Sequence, residues 1–102
     1  MAALFVLYKT PTDPAAFDKY YFEKHIPLAK TIPGLRSYTV TQGPVVSPAG
    51  PTGLHLVAIL AFDDMAAIQR AFASAEGRAA AADLQNFATG GADLAMSETR
   101  VV

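Results

Sequence analysis

Two segments of the chain are apolar on both of their alternating faces. Residues 3–9 set Leu4, Val6 and Tyr8 on one side of an extended strand and Ala3, Phe5 and Leu7 on the other. Residues 54–62 set Leu54, Leu56, Ala58, Leu60 and Phe62 against His55, Val57, Ile59 and Ala61. A strand apolar on both faces is covered on both faces. Residues 35–42 are more amphipathic and read as a flanking strand, and residues 92–99 form a weaker fourth around Leu94 and Met96.

The period changes between the strands. After Asp13, a good N-cap, and Pro14, a good first helical residue, Phe17, Tyr21, Lys24/His25 and Leu28 follow at helical spacing. Pro27 offers no N–H to the carbonyl of Glu23, so the helix is expected to kink or end just after His25. Ile32-Pro33-Gly34 turns the chain into the second strand. Asp63-Asp64 caps a further helix with the stripe Met65, Ile68 and Phe72; Ser74 to Gly77 reads as a break. A last helical stretch runs from Arg78 to Phe87, and Gly90-Gly91 precedes the final strand. Residues 43–53, with Pro44, Pro48 and Pro51, read as a long loop.

The predicted order is βαββαβ, a split βαβ unit in one domain over residues 1–102. A faint internal repeat, Asp13–Tyr21 against Asp64–Phe72, agrees with it. Both helical regions would cover one face of a four-stranded antiparallel sheet. The opposite face is apolar on two strands, and a homodimer packed sheet to sheet is expected to cover it.

Composition narrows the function. With 102 residues there is room for one core. Eight basic residues sit among nine acidic ones without a basic run, which argues against nucleic acid. Charged residues make up 17% of the chain, and alanine inflates its 52% hydrophobic share. There is no cysteine, so disulfides and thiolate sites are excluded. Leu54 to Phe62 is far too short to span a membrane, and the N-terminus lacks the basic start of a signal peptide. A cytoplasmic protein is expected.

Candidate chemistry rests on few residues. His25 precedes the Pro27 break and suits proton transfer near neutral pH. Tyr8, Tyr20, Tyr21 and Tyr38 supply phenol donors for a developing oxyanion. His55 shares a predicted face with Val57 and Ile59, and pairing of the second and third strands could bring it near Tyr38. Phe17, Tyr21, Phe62 and Phe87, with Tyr8, are candidate contacts for a flat or apolar ligand. Two histidines without clustered carboxylates leave no metal set and point to no cofactor.

The run Tyr20-Tyr21-Phe22-Glu23-Lys24-His25-Ile26-Pro27-Leu28, with Ile32-Pro33-Gly34-Leu35 after it, resembles the EthD family of dimeric α+β barrel proteins. Asp13-Pro14-Ala15-Ala16-Phe17 and Ala73-Ser74-Ala75-Glu76-Gly77 extend the resemblance over nearly the whole chain. It implies a ferredoxin-like protomer and a dimer. Related methylmuconolactone methylisomerases and polyketide cyclases imply cofactor-free proton transfer on a lactone or phenolic metabolite, with His25, Tyr38 and His55 as the matching catalytic positions. The methylisomerase also uses a cysteine, which this chain lacks. The expectation is therefore a small isomerase, cyclase or dehydratase. A non-catalytic binder or accessory protein of a degradation pathway is the alternative, and a haem-binding monooxygenase with His25 as axial ligand the third.

Overall fold

The computed structural model describes residues 1–102. Its elements run β1 (Ala2–Lys9), α1 (Pro14–Tyr20), a π turn (Tyr21–His25), α2 (Ile26–Ala29), β2 (Ser37–Val40), β3 (Val46–Ser47), β4 (Gly50–Pro51), β5 (Leu54–Phe62), α3 (Met65–Ala73), α4 (Ala75–Asp83), a 3₁₀ turn (Leu84–Asn86) and β6 (Ala92–Glu98). The main sheet is antiparallel with order β2-β5-β1-β6, and the two long apolar strands are its central pair. The helices pack on one face, where Leu4, Val6 and Tyr8 of β1 and Leu56, Ala58, Leu60 and Phe62 of β5 are buried. This is the expected α+β, βαββαβ architecture. No helix is long and apolar enough to cross a membrane.

Three local expectations are corrected. The first helical region does not stop after His25. The N–H of Ile26 bonds the carbonyl of Tyr21, five residues back, and the chain then continues as α2 with Pro27 in its first turn. Pro27 has no N–H to give, and the π turn just before it, within an unbroken run of helical backbone, takes up the missing bond. Residues 43–53 are not a plain loop: β3 and β4 pair as a short hairpin, tied by the Thr52 hydroxyl donating to the Val45 carbonyl. The last helix begins at Ala75 rather than Arg78, because Ser74 caps it by accepting from the Gly77 N–H. Glycine is required at position 77: a Cβ there would lie 2.0 Å from the Ala71 carbonyl oxygen.

A fourth correction bears on the site. Tyr8 pairs with Leu56 and Lys9 with Leu54, so His55 is an extra, bulged residue on β5. A bulge re-aims its side chain. His55 therefore leaves the Val57–Ile59 face and reaches Phe17 and Asp18 on α1.

Candidate active site

The π turn sets the geometry of the site. It widens the helix by one residue per turn, and such turns recur at functional sites. Here it stacks Tyr21 and His25, four residues apart, with ring centroids 5.2 Å apart and both side chains buried. Phe87 packs against both rings, 4.6 Å from His25 and 5.5 Å from Tyr21. Burying an imidazole among aromatic rings disfavours its charged form. Burial accordingly pushes the His25 pKa below its ordinary 6.5, and Asp83 opposes the shift only in part.

Asp83 is the residue that the sequence reading missed. It ends α4, and its Oδ2 lies 2.9 Å from His25 Nδ1. Its Oδ1 accepts from the Tyr20 hydroxyl at 2.6 Å and from the Asn86 amide at 2.8 Å. Burial would raise its pKa, but the hydrogen bonds from Tyr20, Asn86 and His25 outweigh burial and hold it below the ordinary carboxylate value. Asp83 is therefore an ionised acceptor, and a neutral His25 donates to it through Nδ1–H. A sequence signal was present: an aspartate closing an alanine-rich helix opposes the helix dipole and so needs a separate partner.

With Nδ1 committed, Nε2 carries the lone pair. No fully buried side-chain nitrogen or oxygen lacks a partner, and Nε2 has none in the protein. Nε2 is therefore accessible, and the space beside His25 is a cavity of about 250 Å³ between the helices and the sheet. His25 is its one non-hydrophobic lining residue when tyrosine is counted as hydrophobic. Tyr38 and Tyr8 also line it. The Tyr21 and Tyr38 hydroxyls are 2.6 Å apart. Burial raises all three phenol pKa values, so they stay protonated as donors. When Tyr21 donates to Tyr38, the Tyr38 O–H is left free for a ligand oxygen.

The structure brings together His25, Tyr38 and Tyr8 around this cavity, with Tyr21 directly behind them. It does not bring His55 there. His55 Nε2 lies 2.7 Å from Asp18 in a separate cleft of about 600 Å³ beside the residue 43–53 hairpin. That cleft is larger, but the buried histidine lines the smaller cavity. Phe17 and Phe87 are buried in the aromatic cluster behind the cavity rather than on its wall. Phe62 is fully buried against Phe72, also off the wall. No three His, Asp or Glu side chains converge as a metal set.

The fold and the site define a ferredoxin-like α+β protein with an apolar pocket, open on one side, and a buried histidine–aspartate pair. Residues 9–91 match the EthD domain model, and the chain belongs to the EthD domain family. It is 37% identical over 97 residues to an uncharacterised 11.0 kDa protein of the thcB–thcC intergenic region of Rhodococcus erythropolis, covering 95% of this chain and 93% of that one. A crystal structure of an EthD family protein from Bacillus halodurans superposes with a TM-score of 0.88 at 38% identity, covering 98% of this chain and 99% of that one. Two more distant structures share the fold alone. SnoaB, a cofactor-independent oxygenase from Streptomyces nogalater, has a TM-score of 0.70 at 18% identity over 99% and 94% of the two chains. A dimeric ferredoxin-like protein of unknown function from Bacteroides fragilis has 0.63 at 17% over 96% and 95%.

Proposed function

We propose that this protein is a cofactor-free proton-transfer enzyme of the isomerase, cyclase or dehydratase type, with His25 as its base. The observation that carries this reading is the buried 2.9 Å contact between His25 Nδ1 and Asp83, which leaves Nε2 without a protein partner on a residue that lines the apolar cavity. Nε2 takes a proton from a carbon next to a carbonyl. The imidazolium that forms is stabilised by the Asp83 carboxylate. The electron pair moves onto the carbonyl oxygen, and the Tyr38 O–H donates to that enolate oxygen. Return of the proton to a different carbon isomerises the substrate. Expulsion of a neighbouring hydroxyl, protonated as it leaves, dehydrates it. Attack of the enolate carbon on a second carbonyl of the same molecule closes a ring. His55, in the other cleft, takes no part in these steps.

The experiment needs no natural substrate. Cyclic ketones and lactones are incubated with the protein in D2O, and deuterium uptake next to the carbonyl is read by NMR. Uptake that falls by about 10²–10⁴-fold in His25→Ala supports the reading. Ligands that bind without any His25-dependent exchange make the protein a binder instead.

The outer face of the sheet carries Phe5, Leu7, Val57 and an exposed Ile59 in adjacent pairs, and we propose that a second copy covers it. Light scattering reads a dimer in the wild type and a monomer in Ile59→Lys if that is so.

A further inference from the structure

We infer that the ligand of the His25 cavity is an uncharged, largely hydrocarbon molecule of one or two fused rings with one carbonyl or phenolic oxygen, and that it enters across the edge strand β6. The inference deepens the reading above and rests on it for the position of the oxygen.

Charge is argued first. No lysine, arginine, aspartate or glutamate lines the cavity. Asp83 stands behind His25 with both of its oxygens already bonded. His25 itself is held neutral by burial. A carboxylate or phosphate would be taken out of water with no cation to meet it, which is costly.

Polarity is confined to one end. The three lining side chains with a polar tip all gather around Tyr21: His25 stacks on it, Tyr8 packs edge-on to it and Tyr38 shares its hydroxyl. The rest of the wall is hydrocarbon, including Ile32, Phe72, Leu84, Leu94 and Met96. A ligand that fits is therefore polar at one tip only. Size follows from the volume. About 150 Å³ already holds benzene, so 250 Å³ covers a one- or two-ring skeleton, and a four-ring one leaves rings standing outside the rim, where they gain nothing from burial.

The entrance is visible in the burial gradient. On β1, the pocket-facing Leu4 and Val6 are 2% and 5% exposed; their β6 partners Met96 and Leu94, on the same face, are 45% and 51% exposed. The helices cover β1 but leave β6 open. On the facing helix α4, Ala81 lines the rim and is exposed, and its small side chain keeps the entrance wide.

The test is equilibrium binding at pH 7 of 2-naphthol, 2-naphthoate and the four-ring phenol estradiol. The expected order puts 2-naphthol first, with 2-naphthoate about a hundredfold weaker, as an unpaired buried charge requires. Estradiol binds no better than 2-naphthoate. Ala81→Phe narrows the rim and weakens 2-naphthol at least tenfold, and Ala82→Phe, exposed but off the wall, does not. Naphthoate or estradiol binding as tightly as 2-naphthol overturns the inference. So does equal binding by both alanine variants, or no binding by any of the three probes. The ranking is read without turnover. A missing deuterium exchange with this ranking intact removes the catalytic reading and leaves the ligand class. His25-dependent exchange on charged or four-ring ketones does the reverse.

Discussion

Two histidine–aspartate pairs stand on opposite sides of the stacked rings of Phe17 and Tyr21. Their contact distances nearly agree, 2.9 Å for His25–Asp83 and 2.7 Å for His55–Asp18. Their surroundings do not. The His25 and Asp83 side chains are 5% and 9% exposed, whereas those of His55 and Asp18 are 20% and 53% exposed. Asp83 accepts from three side chains and Asp18 from one. Water competes for Asp18 and screens its charge, so the outer contact fixes little. The inner carboxylate is locked, and it locks one tautomer of His25 in turn. A short histidine–carboxylate distance is thus no measure of chemical potential. What matters is whether the second nitrogen is left bare in a dry place.

The largest expected contrast comes from amidating each aspartate. In Asp83→Asn, one amide oxygen must serve Tyr20 and Asn86, so the amide N–H₂ turns toward His25. Nδ1 then becomes the acceptor, the proton moves to Nε2, and the base is lost. Deuterium exchange should fall by about 10²–10⁴-fold. Thermal or urea unfolding should show a loss of roughly 1–3 kcal/mol from the disturbed buried network. Asp18→Asn should change the rate by less than about twofold and the stability by under about 0.5 kcal/mol. Similar losses in both variants would collapse the distinction between the two pairs.

Why the sequence revealed one pair only in part is a matter of range. Strand alternation is local, so β1 and β5 and the doubly apolar faces were legible from Leu4, Phe5, Leu56 and Val57. Asp13, Pro14 and Asp64 marked helix starts for equally local reasons, and Asp13 and Asp64 do cap α1 and α3. His25 stood out because Pro27 follows it, although the π turn, rather than a helix end, is how the backbone absorbs that proline. Asp83 and His25 are 58 residues apart and meet only because α4 lies against the π turn. Nothing periodic announces such a contact; only the poor placement of an acid at a helix C-terminus hinted at it. The His55 bulge was equally hidden, since strict alternation sends position 55 to the wrong face. Phe62 and Phe87 were sound as core residues, but a pattern of apolar positions cannot separate the wall of a cavity from the layer behind it.

A second contrast lies in pH. The folded pKa of His25 is lowered, chiefly by burial, so below pH 6.5 the unfolded chain binds a proton that the folded chain does not. Stability is therefore full above pH 6.5 and falls as pH drops below it, with a limiting slope of about 1.4 kcal/mol per unit. The Asp83 contribution is lost at a lower window, below the ordinary carboxylate value of 3.8. Unfolding midpoints measured between pH 7 and pH 4.5 should show the His25 slope in the wild type and in His55→Gln. It should vanish in His25→Gln. Exchange activity should stay level above pH 6.5 and decline only when Nε2 protonates, at a pH below that of a free imidazole. An activity midpoint at or above 6.5 would mean that His25 is not the desolvated base described here.

A small effect is expected from His55→Ala, and it probes the comparison from the other side. The substitution removes the contact to Asp18 and the edge-on packing against Phe17 at 4.8 Å. The solvent-facing contact to Asp18 contributes little and the ring contact about 1 kcal/mol, so the loss should be close to that figure. It should barely respond to 0.5 M salt, because packing rather than charge accounts for most of it. The exchange rate should hold within about twofold, since Phe17 and Tyr21 stand between His55 and the cavity. A rate that falls tenfold while the fold survives would show that the two clefts communicate through the ring stack. In that case the bulge on β5 would belong to the same machinery as the π turn.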